Sequence, residues 1–180
     1  MTRSTHITVT CLLLLFVTAA CSKPVQNSAG ESAVTQAASP SAQRITSESV
    51  VKVGARPVEI PAGGSAEAVI QITVQSGYHI NANPPTYSYL KATALEVSPA
   101  DGVSVGSVGY PKAINKKFGF AEKPLAVYEG ETKLKATLKA DKSAKPGQRS
   151  ISARLRIQAC DEEVCYPPGA LELAIPVNIK

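Results

Sequence analysis

From residue 48 onward apolar and polar residues alternate with a period of two, and that pattern leaves few folds open. Ile151, Ala153, Leu155, Ile157 and Ala159 alternate with Ser152, Arg154, Arg156 and Gln158. Leu171, Leu173, Ile175, Val177 and Ile179 alternate with Glu172, Ala174, Pro176 and Asn178. The same pattern holds for Leu134, Ala136 and Leu138, and for Ile70, Ile72 and Val74. Successive side chains of a strand point to opposite faces, so each run reads as a strand with one dry and one wet face. Pro176 has no N–H to give a ladder and is expected on an edge. Turn residues separate the runs: Pro61-Ala62-Gly63-Gly64, Pro99-Ala100-Asp101-Gly102, Glu129-Gly130 and Lys145-Pro146-Gly147. This predicts an all-β domain over residues 48–180, an immunoglobulin-like β-sandwich. A domain of that length buries about two-thirds of its unfolded surface and does not need a disulfide to fold.

Residues 1–20 read as a signal peptide. Arg3 gives a positive start, residues 7–20 are uncharged and Leu-rich, and Thr18, Ala19 and Ala20 are small. The run is short of the about 20 apolar residues that span a bilayer; an uncleaved anchor is the alternative. The residues before Cys21 resemble a bacterial lipobox, which implies cleavage before Cys21 and acylation of its thiol. Thr18 stands where Leu is commonest in that pattern, so cleavage without lipidation competes. Ser22 is similar to the residues that follow the cysteine in outer-membrane lipoproteins. Residues 21–47 are rich in Ser, Ala, Gln, Thr and Pro. They are expected to form a disordered tether, having too little apolar surface to offset ordering entropy.

Composition removes several functions. Met1 is the sole methionine, which excludes a methionine-rich copper site, and His6 and His79 are the two histidines. A four-ligand zinc site can hardly be built from this inventory, so no metal and no cofactor are expected. Metal delivery has at most Cys160, Cys165 and His79 as ligands. The net charge of +5 is spread along the chain without a basic block, unlike a nucleic-acid reader. No Ser/His/Asp set or carboxylate pair suggests a hydrolase.

Of four cysteines, Cys11 lies in the signal and Cys21 at its end, which leaves Cys160 and Cys165 for the folded domain. A secreted compartment permits their disulfide. Disulfide Cα atoms lie about 4.4–6.8 Å apart, whereas five residues of straight strand span about 17 Å. The chain must therefore reverse within residues 161–164. By the parity of the preceding strand, Cys160 should face water. Such a small ring stabilises by only about 2 kcal/mol. A surface bond across a tight reversal is open to exchange, but a staple remains possible. Asp161, Glu162 and Glu163 disfavour a thiolate beside them, which makes the pair slow toward adventitious oxidants. Alternatively they only solvate the turn.

Further segments occur in a characteristic order: Gly77-Tyr78-His79-Ile80-Asn81-Ala82-Asn83-Pro84-Pro85, Lys117-Phe118-Gly119-Phe120, Val127-Tyr128-Glu129-Gly130, and Gln158-Ala159-Cys160 through Cys165-Tyr166-Pro167-Pro168. With them, residues 48–180 resemble the N-terminal periplasmic domain of the thiol:disulfide interchange protein DsbD. The resemblance implies an immunoglobulin-like sandwich with a redox-active Cys160–Cys165 pair in the periplasm or cell envelope. It implies a donor, either a thioredoxin-like domain or a DsbD-like membrane electron carrier. The implied acceptors are a periplasmic disulfide isomerase and thioredoxin-like proteins of cytochrome c maturation. Cys165 is implied as the sulfur that exchanges with partners, and Cys160 as the one that resolves. Phe118 and Phe120 are implied in an aromatic cap loop, Phe118 foremost, with core packing as the alternative. Tyr166 is implied to shield the sulfurs, and Tyr78 and His79 to flank them. His79 can carry a proton near neutral pH; otherwise it is a partly exposed strand-end residue.

Full-length members continue into a membrane electron carrier and a thioredoxin-like domain. Residues 1–180 contain neither, so the donor is expected to be a separate protein. The four-residue spacer between the cysteines is shorter than the resemblance leads one to expect. The competing reading is a non-redox binding or structural lipoprotein, with Cys160–Cys165 as a structural disulfide. Fold alone does not separate the two.

Overall fold

A computed structural model describes residues 44–180 of the chain. The expected signal, the expected acylation at Cys21 and most of the expected tether lie outside the described residues. After one 3-10 turn (Glu48–Val50), twelve strands follow. They are β1 (Val51–Ala55), β2 (Val58–Ile60), β3 (Ser65–Val74), β4 (His79–Asn81), β5 (Ala94–Val97) and β6 (Val103–Gly109). The rest are β7 (Ile114–Lys116), β8 (Leu125–Tyr128), β9 (Glu131–Ala140), β10 (Gly147–Ile157), β11 (Ala159–Cys160) and β12 (Gly169–Ile179).

Two four-stranded sheets form the sandwich. One has the order β1-β3-β9-β6 and is antiparallel throughout, with a register shift in β6 between Val105 and Val108. The other has the order β2-β12-β10-β5 and is antiparallel except for the β2–β12 pair. Their dry faces meet in one core, where Ile70, Ile72, Leu134 and Leu138 join Ile151, Leu155, Ile175 and Val177. All eight are buried, and each such side chain contributes about 1.5–3 kcal/mol by leaving water. The alternation that predicts the fold is the alternation observed. In β10, Ile151, Ala153, Leu155 and Ile157 are buried while Ser152, Arg154 and Arg156 are exposed.

Pro176 departs from expectation, because β12 lies between β2 and β10. It is tolerated because β2 pairs only from Val177 onward, so at Pro176 the strand has β10 alone as neighbour.

A third sheet, of order β11-β4-β8-β7, closes one end. Three of its strands adjoin long ones in sequence: β3 leads into β4, β8 leads into β9, and β10 leads into β11. The end of β3 and the start of β9 pair at Thr73 and Glu131, which places β4 and β8 at the same end of the sandwich. This end sheet carries the cysteines.

Candidate functional site

The site begins where β10 stops alternating. Arg154 and Arg156 keep the wet face in water, but the next position on that face is Gln158, which is half-buried. Its Oε1 accepts from Asn81 Nδ2 at 3.0 Å and from the Lys91 N–H at 2.8 Å. Its Nε2 donates to the Tyr166 carbonyl at 3.2 Å. Tied in this way, the chain leaves the β10–β12 pairing and joins β4, with Ala159 opposite Ile80 and Cys160 opposite His79. The change of sheet breaks the parity: Cys160, expected toward water, is 0% exposed.

Ser47 supports this crossing from far away in sequence. Its hydroxyl donates to the Pro167 carbonyl at 2.7 Å and accepts from the Ala159 N–H at 2.9 Å. Composition places Ser47 in the tether, yet it is fully buried and belongs to the domain.

The reversal expected within residues 161–164 is present. Asp161 Oδ1 accepts from the N–H groups of Glu163 and Val164, each at 2.8 Å. Backbone bonds from Asp161 N to the Val164 carbonyl (2.9 Å) and from Tyr166 N to the Ala159 carbonyl (2.8 Å) flank the cysteines. That makes Cys160 and Cys165 a non-hydrogen-bonded antiparallel pair, the kind with the closer Cα atoms. They lie 3.9 Å apart at Cα and are joined as a disulfide. The two are unequal: Cys160 is buried and Cys165 is half-buried. Cys165 packs against a small cluster formed by Leu90, Phe118, Ala121, Leu125 and Val127.

That cluster contains the expected cap residue. Phe118, on the loop between β7 and β8, is 1% exposed, whereas Phe120 is 44% exposed, its ring tilted against that of Phe118 with centroids 5.3 Å apart. The structure thus separates two residues that the sequence places on one loop. The Phe118 ring also meets the His79 ring edge-on at 5.1 Å. His79 is only 1% exposed, which corrects the reading of a partly exposed strand-end residue; β11 and the cap loop cover it. Tyr166 is half-buried, with its ring 6.1 Å from that of Tyr78.

Charge is ordered around the cystine. Lys116 Nζ lies 2.8 Å from Glu162 Oε1, 3.9 Å from Glu129 Oε2 and 2.6 Å from His79 Nε2. Glu129 Oε2 is 3.1 Å from the same His79 nitrogen. The Glu162 carboxyl sits below its ordinary range, chiefly through the hydrogen bond from Lys116. The Asp161 carboxyl is also lowered, first by the Tyr166 hydroxyl, which donates to its Oδ2 at 2.5 Å. The same bond pushes Tyr166 up to about 12. Two of the three acids between the cysteines are therefore engaged, one building the turn and one neutralised by lysine. Among the described residues, no group of three or more His, Cys, Asp or Glu side chains gathers to hold a metal.

The sequence reading missed Ser47, Gln158, Lys116 and the role of Glu129. For Gln158 a signal existed, since Gln158 and Cys160 end the charged series of Arg154 and Arg156 without adding a charge. For Ser47 there was none.

The sandwich holds a hairpin cystine at one end, with one buried and one half-buried cysteine, and the family it matches makes it, in class, a thiol:disulfide exchange module. The family described as thiol:disulfide interchange protein DsbD, N-terminal, matches residues 46–175, and the chain belongs to it. Among solved structures, the DsbD N-terminal domain of Neisseria meningitidis in its reduced form is similar at 21% identity and TM-score 0.48, covering 74% of this chain and 90% of that one. The N-terminal periplasmic domain of ScsB from Proteus mirabilis is similar at 16% identity and TM-score 0.49, covering 69% of this chain and 44% of that one. Among curated proteins none matches.

Proposed function

We propose that the domain relays electron pairs in the bacterial periplasm through Cys160 and Cys165, between a thioredoxin-like donor and thioredoxin-like envelope acceptors. A lipid on Cys21 holds it at a membrane. In the loading step, a donor thiolate attacks Cys165 Sγ. The Cys160–Cys165 bond breaks, its electron pair goes to Cys160 Sγ, and the donor's second thiol then displaces Cys165. The donor leaves as a disulfide and the domain holds two thiols. In the delivery step, the Cys165 thiolate attacks an acceptor disulfide. Cys160 then attacks Cys165, restoring the cystine and releasing the reduced acceptor.

The observation that carries this reading is the unequal exposure of the two cysteines in a ring that staples nothing. Their sequence separation is 5 and they join one hairpin already held by two backbone bonds, whereas the sandwich core lies elsewhere. Cys165 is the sulfur a partner can reach; Cys160 is sheltered as the resolving group. Phe118 packs over the pair as its cap, Phe120 is the exposed part of the same loop, and Tyr166 and Tyr78 wall the site.

The test is the reduction potential of the pair in residues 44–180, equilibrated against glutathione and dithiothreitol buffers. A value between about −120 and −270 mV is expected, the range of exchange proteins; a value below about −300 mV would mean a structural bond and end the redox reading.

A further inference from the structure

One rung of the cysteine hairpin is replaced by a side chain from outside it. Residues at a hydrogen-bonded position of an antiparallel pair exchange two backbone bonds. Next to the cysteines, Ala159 and Tyr166 hold that position. The Tyr166 N–H gives the first bond, to the Ala159 carbonyl at 2.8 Å. The return bond, from the Ala159 N–H to the Tyr166 carbonyl, is diverted. The Ala159 N–H donates to Ser47 Oγ at 2.9 Å, and the Tyr166 carbonyl accepts from Gln158 Nε2 at 3.2 Å.

The sequence explains why the ladder stops there. The returning arm continues as Tyr166-Pro167-Pro168, and proline has no N–H to donate. At these two prolines the arm offers carbonyls alone, so its donors must come from elsewhere. Ser47 supplies one, its hydroxyl donating to the Pro167 carbonyl at 2.7 Å. A single oxygen thus holds both arms, at Ala159 just before Cys160 and at Pro167 just after Tyr166.

This clamp is anchored in the sandwich, not in the hairpin. Ser47 is fully buried. It lies in a turn where Ser49 Oγ accepts from the Thr46 N–H at 3.0 Å and donates to the Thr46 carbonyl at 2.8 Å. Val50 and Val51, which follow, are part of the sandwich core. None of these bonds involves sulfur.

We propose that Ser47 is a positioning residue for disulfide exchange, its hydroxyl keeping the two arms of the hairpin at closing distance while the Cys160–Cys165 bond is open. This rests on the exchange reading above. In the return step the Cys160 thiolate attacks Cys165 Sγ. The bond from Cys165 to the partner sulfur breaks, and its electron pair leaves with that sulfur. The rate of such an internal step depends on how well the two sulfurs are held together. The equilibrium follows the same logic. The disulfide and the clamp both favour closed arms, so each strengthens the other by the same factor. Without the clamp the cystine closes less readily, and its potential becomes less negative.

A neighbour in the same turn separates positioning from general stability. Glu48 Oε1 accepts from the Ala170 N–H at 3.1 Å, a tie to β12 beyond the hairpin arms. Full-length wild type, Ser47→Ala and Glu48→Ala are equilibrated in dithiothreitol redox buffers and quenched with a maleimide. They are read on the tryptic peptide Ile157–Lys180, which contains both cysteines. Ser47→Ala is expected to lower the equilibrium constant for closing the cystine about tenfold, the worth of one net hydrogen bond. That is a shift of about 30 mV toward less negative potential. When oxidised glutathione is added to the reduced protein, the glutathione adduct on the same peptide should also persist about tenfold longer in Ser47→Ala. Glu48→Ala should lower stability and keep the wild-type potential. A wild-type potential in Ser47→Ala, or equal shifts in the two variants, overturns the inference and leaves exchange standing. Should Ser47→Ala not fold, the Ala159 amide of the wild type decides. Its hydrogen exchange should stay slow when the cystine is reduced, and exchange at the rate of an unbonded amide overturns the inference. A wild-type cystine that resists dithiothreitol overturns both.

Discussion

In the sandwich, strands of 10 or 11 residues bury one face and wet the other. In the end sheet, β4 and β11 have three and two residues and bury every one of them. The polar side chains buried among the described residues are Ser47, His79, Asn81 and Thr93, and all four serve the end sheet. Ser47 ties β11, His79 opposes Cys160, Asn81 binds Gln158, and Thr93 Oγ1 donates to the Asn81 carbonyl at 2.6 Å. The sandwich is held by apolar area, which is insensitive to small rotations. The end sheet is held by directional bonds, which fix individual atoms. A redox site needs the second kind of order, and the first kind supplies the stability beneath it.

The contrast can be broken most directly by exchanging its two halves. Cys165→Ser should abolish thiol exchange entirely while lowering stability by about 2 kcal/mol at most, the small-ring contribution. Leu138→Ala, in the far core, should cost about 2–5 kcal/mol and leave exchange per folded molecule unchanged. Urea unfolding and a dithiothreitol reduction assay on both variants read the two effects side by side. A Leu138→Ala protein that folds but exchanges slowly would show that the halves are coupled.

A smaller effect tests whether polar bonds really carry the end sheet. Ser47→Ala leaves the Ala159 N–H and the Pro167 carbonyl without their shared hydroxyl. A loss of about 1–3 kcal/mol is expected from urea unfolding, more than a surface serine commands. A loss below about 0.5 kcal/mol would mean that the end sheet does not depend on this tie.

The gentlest test titrates the hairpin. Tyr166, at about 12 in the fold against about 10 in an unfolded chain, has a raised value. Its contribution is complete below about pH 10 and disappears as pH rises through about 12. Asp161 is lowered, so its contribution holds above about pH 3.9 and fades as pH falls through its folded value. Phenolate absorbance should show Tyr166 ionising late in wild type and nearer pH 10 in Asp161→Asn; coincident curves would remove this bond from the site.

The same contrast governs what could be read without coordinates. The alternation of β10 and β12 reports a face, and faces persist for as long as a strand stays in one sheet. It therefore identified Ile151, Leu155, Ile175 and Val177 as interior and the fold as a sandwich. It failed at Gln158, because a strand that changes sheets resets its parity, and so Cys160 was expected on the wrong side. The burial of His79 was hidden for a related reason: what covers it, β11 and the loop of Phe118, lies far along the chain. Ser47 sits in a stretch whose composition is that of a linker, and only its partners at Ala159 and Pro167 reveal it. The cysteine pair was legible because five residues cannot both extend and bond.

The two backbone bonds that bracket the cysteines do not involve sulfur. They can persist when the disulfide is opened, holding Cys160 beside Cys165 while a partner is attached. Well-oriented groups within one molecule reach effective concentrations of about 10⁵–10⁸ M, far above any thiol in solution. On the proposed mechanism, a partner joined to Cys165 faces a local competitor it cannot dilute away. In that mechanism the hairpin is a timer on each covalent encounter, with release set by the same geometry that holds the two cysteines together.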